Sequence, residues 1–167
     1  DLNNPAISQT ERKMQLVREL PNVDGNVWWA GWSLASAPRA RRNAAEPAFS
    51  LKDSLKTIYQ KNIALIPAYT DLDSIAPAPI KSVKASGKSI VWSVTPTDDV
   101  MQQPHFYVVY KMPANAKADI GNSAYIVEIT RENSYVPSEK RSGKYKYIIT
   151  VVDKCWNESP ASKAIVW

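Results

Sequence analysis

The side chains able to do chemistry are few, and their scarcity is informative. The chain has one cysteine, Cys155, and one histidine, His105. A lone thiol allows neither an internal disulfide framework nor a multi-thiolate zinc site. A lone imidazole leaves no His-rich metal site and disfavours a His-paired nucleophile. No cofactor, no metal site and no catalytic residue are therefore expected from this chain. Tryptophan is the residue type that stands out. Trp28, Trp29 and Trp32 fall within Asn26-Val27-Trp28-Trp29-Ala30-Gly31-Trp32, and the polar stretch that follows carries Arg39, Arg41, Arg42 and Glu46. His105, beside Pro104, reads as an ordinary surface residue at a strand entrance. Asn157-Glu158-Ser159 matches the glycosylation sequon formally.

The elements that must position these residues differ between the two halves. Asn4 and Pro5 make a helix start, Ile7, Met14, Val17 and Leu20 recur at helical spacing, and Pro21 ends the run. Residues 26–32 read as a strand buried on both faces, residues 33–47 as a long loop, and Ser50 with Asp53 as a capping box that opens a second helix with Leu51, Leu55, Ile58 and Tyr59 on its apolar face. One buried strand and two helices cannot close a core, so this half is expected to need further strands. The Pro- and Asp-rich stretch from Pro67 to Pro79 reads as a domain boundary. Beyond it the period becomes two. Ile80–Ala85, Lys88–Val94, Phe106–Met112, Tyr125–Thr130, Tyr145–Val152 and Lys163–Trp167 predict six strands, or seven, divided by turn residues. In the fifth run Tyr145, Tyr147, Ile149 and Val151 share a face.

Composition sets the outer limits. At 167 residues with 44% hydrophobic and 22% charged content, the chain is long enough for one ordinary domain or two small ones. No stretch approaches the roughly 18 to 20 apolar residues of a spanning helix, and the start lacks the layout of a signal peptide. The chain does not begin with Met, which reads as a processed or excised piece. The net charge is +5. From residue 78 onward there are 12 Lys and Arg against 8 Asp and Glu, and the densest run, Lys140, Arg141, Lys144 and Lys146, flanks Ser142 and Gly143 without a nucleic-acid signature beside it. It reads as a solvated edge, and no nucleic-acid partner is expected.

Two resemblances follow from these residues. Ile90-Val91-Trp92, Tyr107-Val108-Val109-Tyr110-Lys111, Ser134-Tyr135 and Tyr145-x-Tyr147-x-Ile149-x-Val151-Val152-Asp153 with Asn157-Glu158-Ser159 resemble a bacterial fibronectin type III domain over residues 78–167. That likeness implies Trp92 as the core tryptophan, with Tyr107 and Val109 beside it. Cys155 and Trp156 stand where such domains often have a small residue and Gly. Asp24-Gly25-Asn26-Val27-Trp28-Trp29, Asp53-Ser54-Leu55-Lys56-Thr57-Ile58-Tyr59 and Ala64-Leu65-Ile66-Pro67 resemble the end of the catalytic barrel in the glycosyl-hydrolase-like family 10 proteins.

Together the resemblances imply a multidomain α/β plus all-β chain. Residues 1–75 would be the truncated end of a (β/α)₈ barrel, with its seventh helix at 1–20, eighth strand at 25–32 and eighth helix at 50–62, and residues 78–167 a fibronectin type III-like β-sandwich. The implied parent is a bacterial carbohydrate-active protein, secreted, periplasmic or on the cell surface. It would act on a poly- or oligosaccharide, with the present residues contacting the rest of the barrel. Barrel active sites lie at the C-terminal ends of the strands, so Trp32 first and Trp29 second become candidate platforms for a sugar ring. Core packing is the plainer reading of Trp29, and for Trp32 the two readings stand level. Arg39, Arg41 and Arg42 could grip an acidic saccharide, and a solvated loop is the plainer reading there too. Glycoside hydrolysis needs a pair of carboxyl groups across the scissile bond. Glu46 is alone in the mouth loop, so the fragment itself is expected to be inactive. Two alternatives stay open for residues 78–167: a carbohydrate-binding module using Trp156, Tyr110 and Trp167, or a spacer or protein-interaction domain.

Overall fold

The computed structural model describes residues 9–23 and 55–167. Two compact units divide between Lys61 and Asn62. In the first, helix α1 spans Gln9–Glu19 and a single π-helical turn spans Leu55–Tyr59. Met14 is buried, whereas Leu20, expected on the same apolar face, is 52% exposed. Asn22 adopts a left-handed φ of 63° three residues past the helix, a conformation asparagine tolerates well at a helix end. Arg18 donates from Nη2 to the Tyr59 carbonyl at 2.6 Å and lies over the Tyr59 ring, 5.4 Å from its centroid.

The second unit is built from seven strands: β1 (Ser82–Ser86), β2 (Ser89–Ser93), β3 (Phe106–Pro113), β4 (Ile126–Thr130), β5 (Ser134–Tyr135), β6 (Tyr145–Val152) and β7 (Ile165–Val166). They form a three-stranded sheet in the order β1-β2-β5 and a four-stranded sheet in the order β4-β3-β6-β7. Every pairing is antiparallel. The β1–β2 turn places Gly87 at φ 59°, a left-handed position that suits glycine.

Alternation along β3 and β6 explains how one sheet serves two cores. Tyr107 and Val109, with Tyr147, Ile149 and Val151, point toward the smaller sheet and meet Ile80, Ile90, Trp92 and Trp167. Trp92 packs edge-on against Tyr107 with ring centroids 5.5 Å apart. The opposite residues, Val108, Tyr110, Met112, Ile148 and Val152, point outward, yet they too are buried. Leu65 from the segment before β1, Ile120 and Tyr125 from the β3–β4 connection, and Trp156 pack over them. Strands covered on both faces read as unbroken apolar runs, which is the pattern of Phe106-Tyr107-Val108-Val109-Tyr110-Lys111-Met112.

The Pro-rich segment 62–77 belongs to this unit as a strap. The Tyr69 amide donates to the Cys155 carbonyl at 2.8 Å. Asn157 donates from Nδ2 to the Asp73 carbonyl at 3.0 Å, and Gln102 donates from Nε2 to Asp73 Oδ2 at 2.8 Å. Pro and Asp composition signals a turn-rich backbone, and here that backbone is bonded to the sheets.

These findings overturn the expected fold class, a multidomain α/β plus all-β chain opening on a truncated (β/α)₈ barrel. Among the described residues the regular structure is mostly strand: the second unit is a small β-rich domain of two antiparallel sheets, and the first unit holds the one helix longer than a single turn. Among them there is no parallel pairing, which barrel strands require. The proposed eighth helix at 50–62 is a five-residue π-helical turn over its described part. The proposed eighth strand, 25–32, lies outside the described residues. The physical reason for the misreading is that a helical apolar stripe identifies a helix and not the fold around it: α1 buries Met14 and leaves Leu16 and Leu20 exposed, unlike a helix laid along a barrel wall. Among the described residues no helix is long and apolar enough to cross a membrane.

Candidate functional site

Trp29 and Trp32, the sequence-derived sugar platforms, lie outside the described residues, as do Arg39, Arg41, Arg42 and Glu46. The remaining candidates fall in two polar clusters on opposite faces of the four-stranded sheet.

The first cluster centres on Glu139, in the connection between β5 and β6. Its Oε1 receives Lys111 Nζ at 2.7 Å and the Tyr147 hydroxyl, and its Oε2 receives the Ser138 hydroxyl at 2.9 Å. Its backbone carbonyl receives the Trp167 indole N–H at 3.2 Å. Lys111 and Tyr147 are register partners on β3 and β6, so both point to the inner face at the same height. Lys111 Nζ also lies 4.2 Å from the centroid of the Tyr145 ring. Burial alone would raise the Glu139 pKa, but the hydrogen bonds from Lys111, Tyr147 and Ser138 outweigh it and bring the pKa down to about 2. The Tyr147 hydroxyl moves the other way, raised by burial and by the carboxylate it binds.

The second cluster closes the outer face around Glu158. Its Oε1 accepts the hydroxyls of Tyr110 and Thr150, both at 2.6 Å. Tyr110 and Thr150 are 0% exposed, and burial followed by the Glu158 bond raises the Tyr110 pKa. The chain reaches this position through a turn built on Asp153. That carboxylate is fully buried and accepts the Cys155 amide at 2.8 Å, the Asn157 amide at 2.9 Å and Asn157 Nδ2 at 3.0 Å. Trp156 sits inside the turn at φ 64°, left-handed backbone that bulky side chains rarely adopt. Its ring packs at 5.5 Å on Phe106, which meets His105 at 4.4 Å and carries Arg131 Cζ at 4.9 Å.

What these groups can do chemically is limited by what they already do. Glu139 and Glu158 are separated by the sheet itself, one reaching its partners on the inner face and the other on the outer face, so they cannot flank one glycosidic bond. Cys155 is buried, and burial, then Asp153, Asp73 and Asp71, raises its thiol pKa, which is the opposite of an activated nucleophile. Of the three aromatics considered for a saccharide face, Tyr110 is 0% and Trp167 4% exposed, leaving only Trp156 half-exposed. His105 makes its ring contact with Phe106 at the entrance of β3. Among the described residues no group of three His, Cys, Asp or Glu could hold a metal ion.

Sequence reasoning missed Glu139 as the hub of one cluster and Asp153 as the hub of the turn. Tyr110 and Glu158 are 48 positions apart, and Lys111 lies on β3 while Glu139 lies in the β5–β6 connection, so no local spacing announces either pairing. The signal that could have found Asp153 is its place at the end of an apolar strand with Asn157 four residues on, the spacing of a side chain that caps its own turn. No protein-family model matches this chain, and no curated protein matches it.

Proposed function

We propose that residues 62–167 serve as a non-catalytic spacer and docking module. The observation that supports this most is the filling of both faces of the four-stranded sheet: an inner core shared with the smaller sheet, and an outer face closed by Leu65, Ile120, Tyr125 and Trp156. A saccharide-binding sheet needs aromatic rings standing free on one face. Here the outward Tyr110 is spent in a bond to Glu158 beneath that cover. The carboxylates bind hydroxyls, amides and one lysine of the same domain, so their role is to hold loops to the sheet ends.

The strand order, three strands as β1-β2-β5 against four as β4-β3-β6-β7, supports the fibronectin type III resemblance of residues 78–167. A fold alone assigns no role, and the spacer reading rests instead on the carboxylates of Glu139, Asp153 and Glu158 being engaged by groups of the same domain.

The test is direct. The purified chain is run in native gels containing soluble neutral and acidic polysaccharides, and the same polysaccharides are assayed for new reducing ends. Unchanged mobility and no new ends are expected. Retardation that disappears in Trp156→Ala would make the domain a carbohydrate-binding module, and new reducing ends would make it an enzyme.

A further inference from the structure

The ends of the two-sheet domain carry opposite charge. At the end where β3 finishes and β6 begins stand Lys111, Lys117, Lys140, Arg141, Lys144 and Lys146 against Asp119 and Glu139. Lys88, in the β1–β2 turn, falls at the same end, because Ile90 pairs with Tyr135, whose ring lies 5.8 Å from Tyr147 near the start of β6, while Trp92 two residues further along packs on Tyr107 at the start of β3. The loops here adjoin one another: the Ala114 amide donates to the Lys144 carbonyl at 2.9 Å and the Gly143 amide to the Trp167 carbonyl at 2.8 Å. Lys146 Nζ donates to the Ala116 carbonyl, and Arg141 Cζ lies 5.4 Å from the Trp167 ring centroid, which leaves Lys88, Lys117, Lys140 and Lys144 as the exposed lysines of this end.

At the opposite end, where β3 begins and β6 finishes, stand Asp71, Asp73, Asp98, Asp99, Glu132 and Asp153 against Arg131 and Lys154, while Lys81 and Glu158 offset each other. This end is also continuous. Gln102 bonds Asp73 Oδ2, the Tyr69 amide bonds the Cys155 carbonyl, and Asn157 bonds the Asp73 carbonyl. Apolar residues are interleaved with the acids: Leu72 and Ile75 beside Asp71 and Asp73, Val100 and Met101 beside Asp98 and Asp99, all exposed. The basic end has exposed apolar residues as well, Val136 after β5 and Val166 in β7.

Distance keeps the two ends electrically independent. An eight-residue strand at about 3.4 Å per residue spans about 27 Å. That exceeds the Debye length of about 10 Å at 0.1 M salt, so neither end cancels the other's field within one molecule. Two molecules placed end to end bring the fields within a few ångström of each other.

We propose that the domain associates head to tail with a second copy of this chain, the acidic end at Asp71, Asp98, Leu72 and Val100 of one copy seating on the basic end at Lys140, Lys144, Val136 and Val166 of the next. The interface is heterologous, so it leaves one free end of each sign and can add further copies. Charge complementarity carries the contact and the small apolar patches supply what is desolvated, which makes it weak and salt-sensitive. It rests on the reading of the domain as a spacer and docking module, and it names the partner of that module.

The test uses sedimentation velocity on the full chain from 10 to 200 μM in 20 mM and in 500 mM NaCl. Concentration-dependent association in low salt is expected, weakened at least about tenfold in high salt. Two charge-reversed proteins, Lys140→Glu with Lys144→Glu and Asp71→Lys with Asp98→Lys, are each expected to stay monomeric, and their mixture to form a dimer through the one acidic and one basic end left intact. Circular dichroism checks that both variants fold, and the salt series on the unaltered chain decides the matter if either does not. A chain that is monomeric throughout in low salt overturns the proposal, and so does association that survives 500 mM NaCl unchanged or persists in either variant alone. Those results leave the spacer reading standing, since that reading fails only on saccharide binding or turnover.

Discussion

Replacing Glu139 with Gln separates the charge of this residue from its shape. In the folded chain the carboxylate has its pKa held at about 2 against an ordinary value of 4.5, because Lys111, Tyr147 and Ser138 all donate to its charged form. A depressed carboxyl pKa contributes stability that is fully present above the unfolded value and is lost as pH falls through the folded value. The window is therefore pH 4.5 down to about 2. At about 1.4 kcal/mol per pKa unit the whole displacement corresponds to roughly 3 kcal/mol. Glu139 and Lys111 are 21% and 24% exposed, so water screens the pair and about 1 to 2 kcal/mol is the expected net contribution. The amide introduced by Glu139→Gln keeps an oxygen for Tyr147 or Lys111 and loses the charge. Urea unfolding followed by near-ultraviolet circular dichroism should show Glu139→Gln less stable by about 1 to 2 kcal/mol at pH 7. The difference should shrink as pH falls from 4.5 toward 2. Equal midpoints at pH 7, or a difference that stays constant down to the folded pKa, would refute the assignment of Glu139 as a charged tie between the β5–β6 connection and the inner sheet face.

Two further substitutions probe the Asp153 turn. Trp156→Gly should be more stable than Trp156→Ala by about 1 kcal/mol, because both lose the contact with Phe106 while only glycine relieves the φ of 64°; equal stabilities in urea would mean the backbone there is unstrained. Asp153→Ala leaves the Cys155 and Asn157 amides without their acceptor and Asn157 Nδ2 with the Asp73 carbonyl alone, at about 1 to 3 kcal/mol for each orphaned group that water cannot reach. Its stability should fall by at least about 2 kcal/mol, and Cys155 should react with a thiol reagent faster than in the unaltered chain. Unchanged labelling would show that the turn holds without its carboxylate.

How much of this was legible depends on whether a feature is local. β6 was readable because Tyr145, Tyr147, Ile149 and Val151 alternate with residues of the other face over eight positions. Trp92 was placed beside Tyr107 and Val109 only by the fibronectin type III resemblance, and all three lie in the inner core. β5 is only Ser134 and Tyr135, too short for any period to show, and its existence depends on pairing with Ile90 and Val91. The outer core was hidden in plain composition: Val108, Tyr110 and Met112 were apolar enough to demand cover, but the cover comes from Leu65, 43 positions before Val108, and from Trp156 after β6. The strap reads as a boundary because proline and aspartate mark turns equally in linkers and in segments bonded to a domain. In the first half, resemblance outran physics. An amphipathic helix and an apolar tryptophan run fit many folds, and Trp29 and Trp32, the platforms placed on them, lie outside the described residues.

The central claim is that residues 62–77 belong to the two-sheet domain, bonded to it at Tyr69 and Asp73 and contributing Leu65 to the cover of its outer face. It is tested most directly by comparing urea unfolding and dye binding of residues 62–167 with those of residues 78–167. Losing the Leu65 contact and the hydrogen bonds at Tyr69 and Asp73 should lower stability by about 3 to 5 kcal/mol. It should also open the Val108, Tyr110 and Met112 face to a dye that fluoresces on apolar surface. Equal stability and no added dye binding in residues 78–167 would contradict the claim and return the strap to the status of a linker.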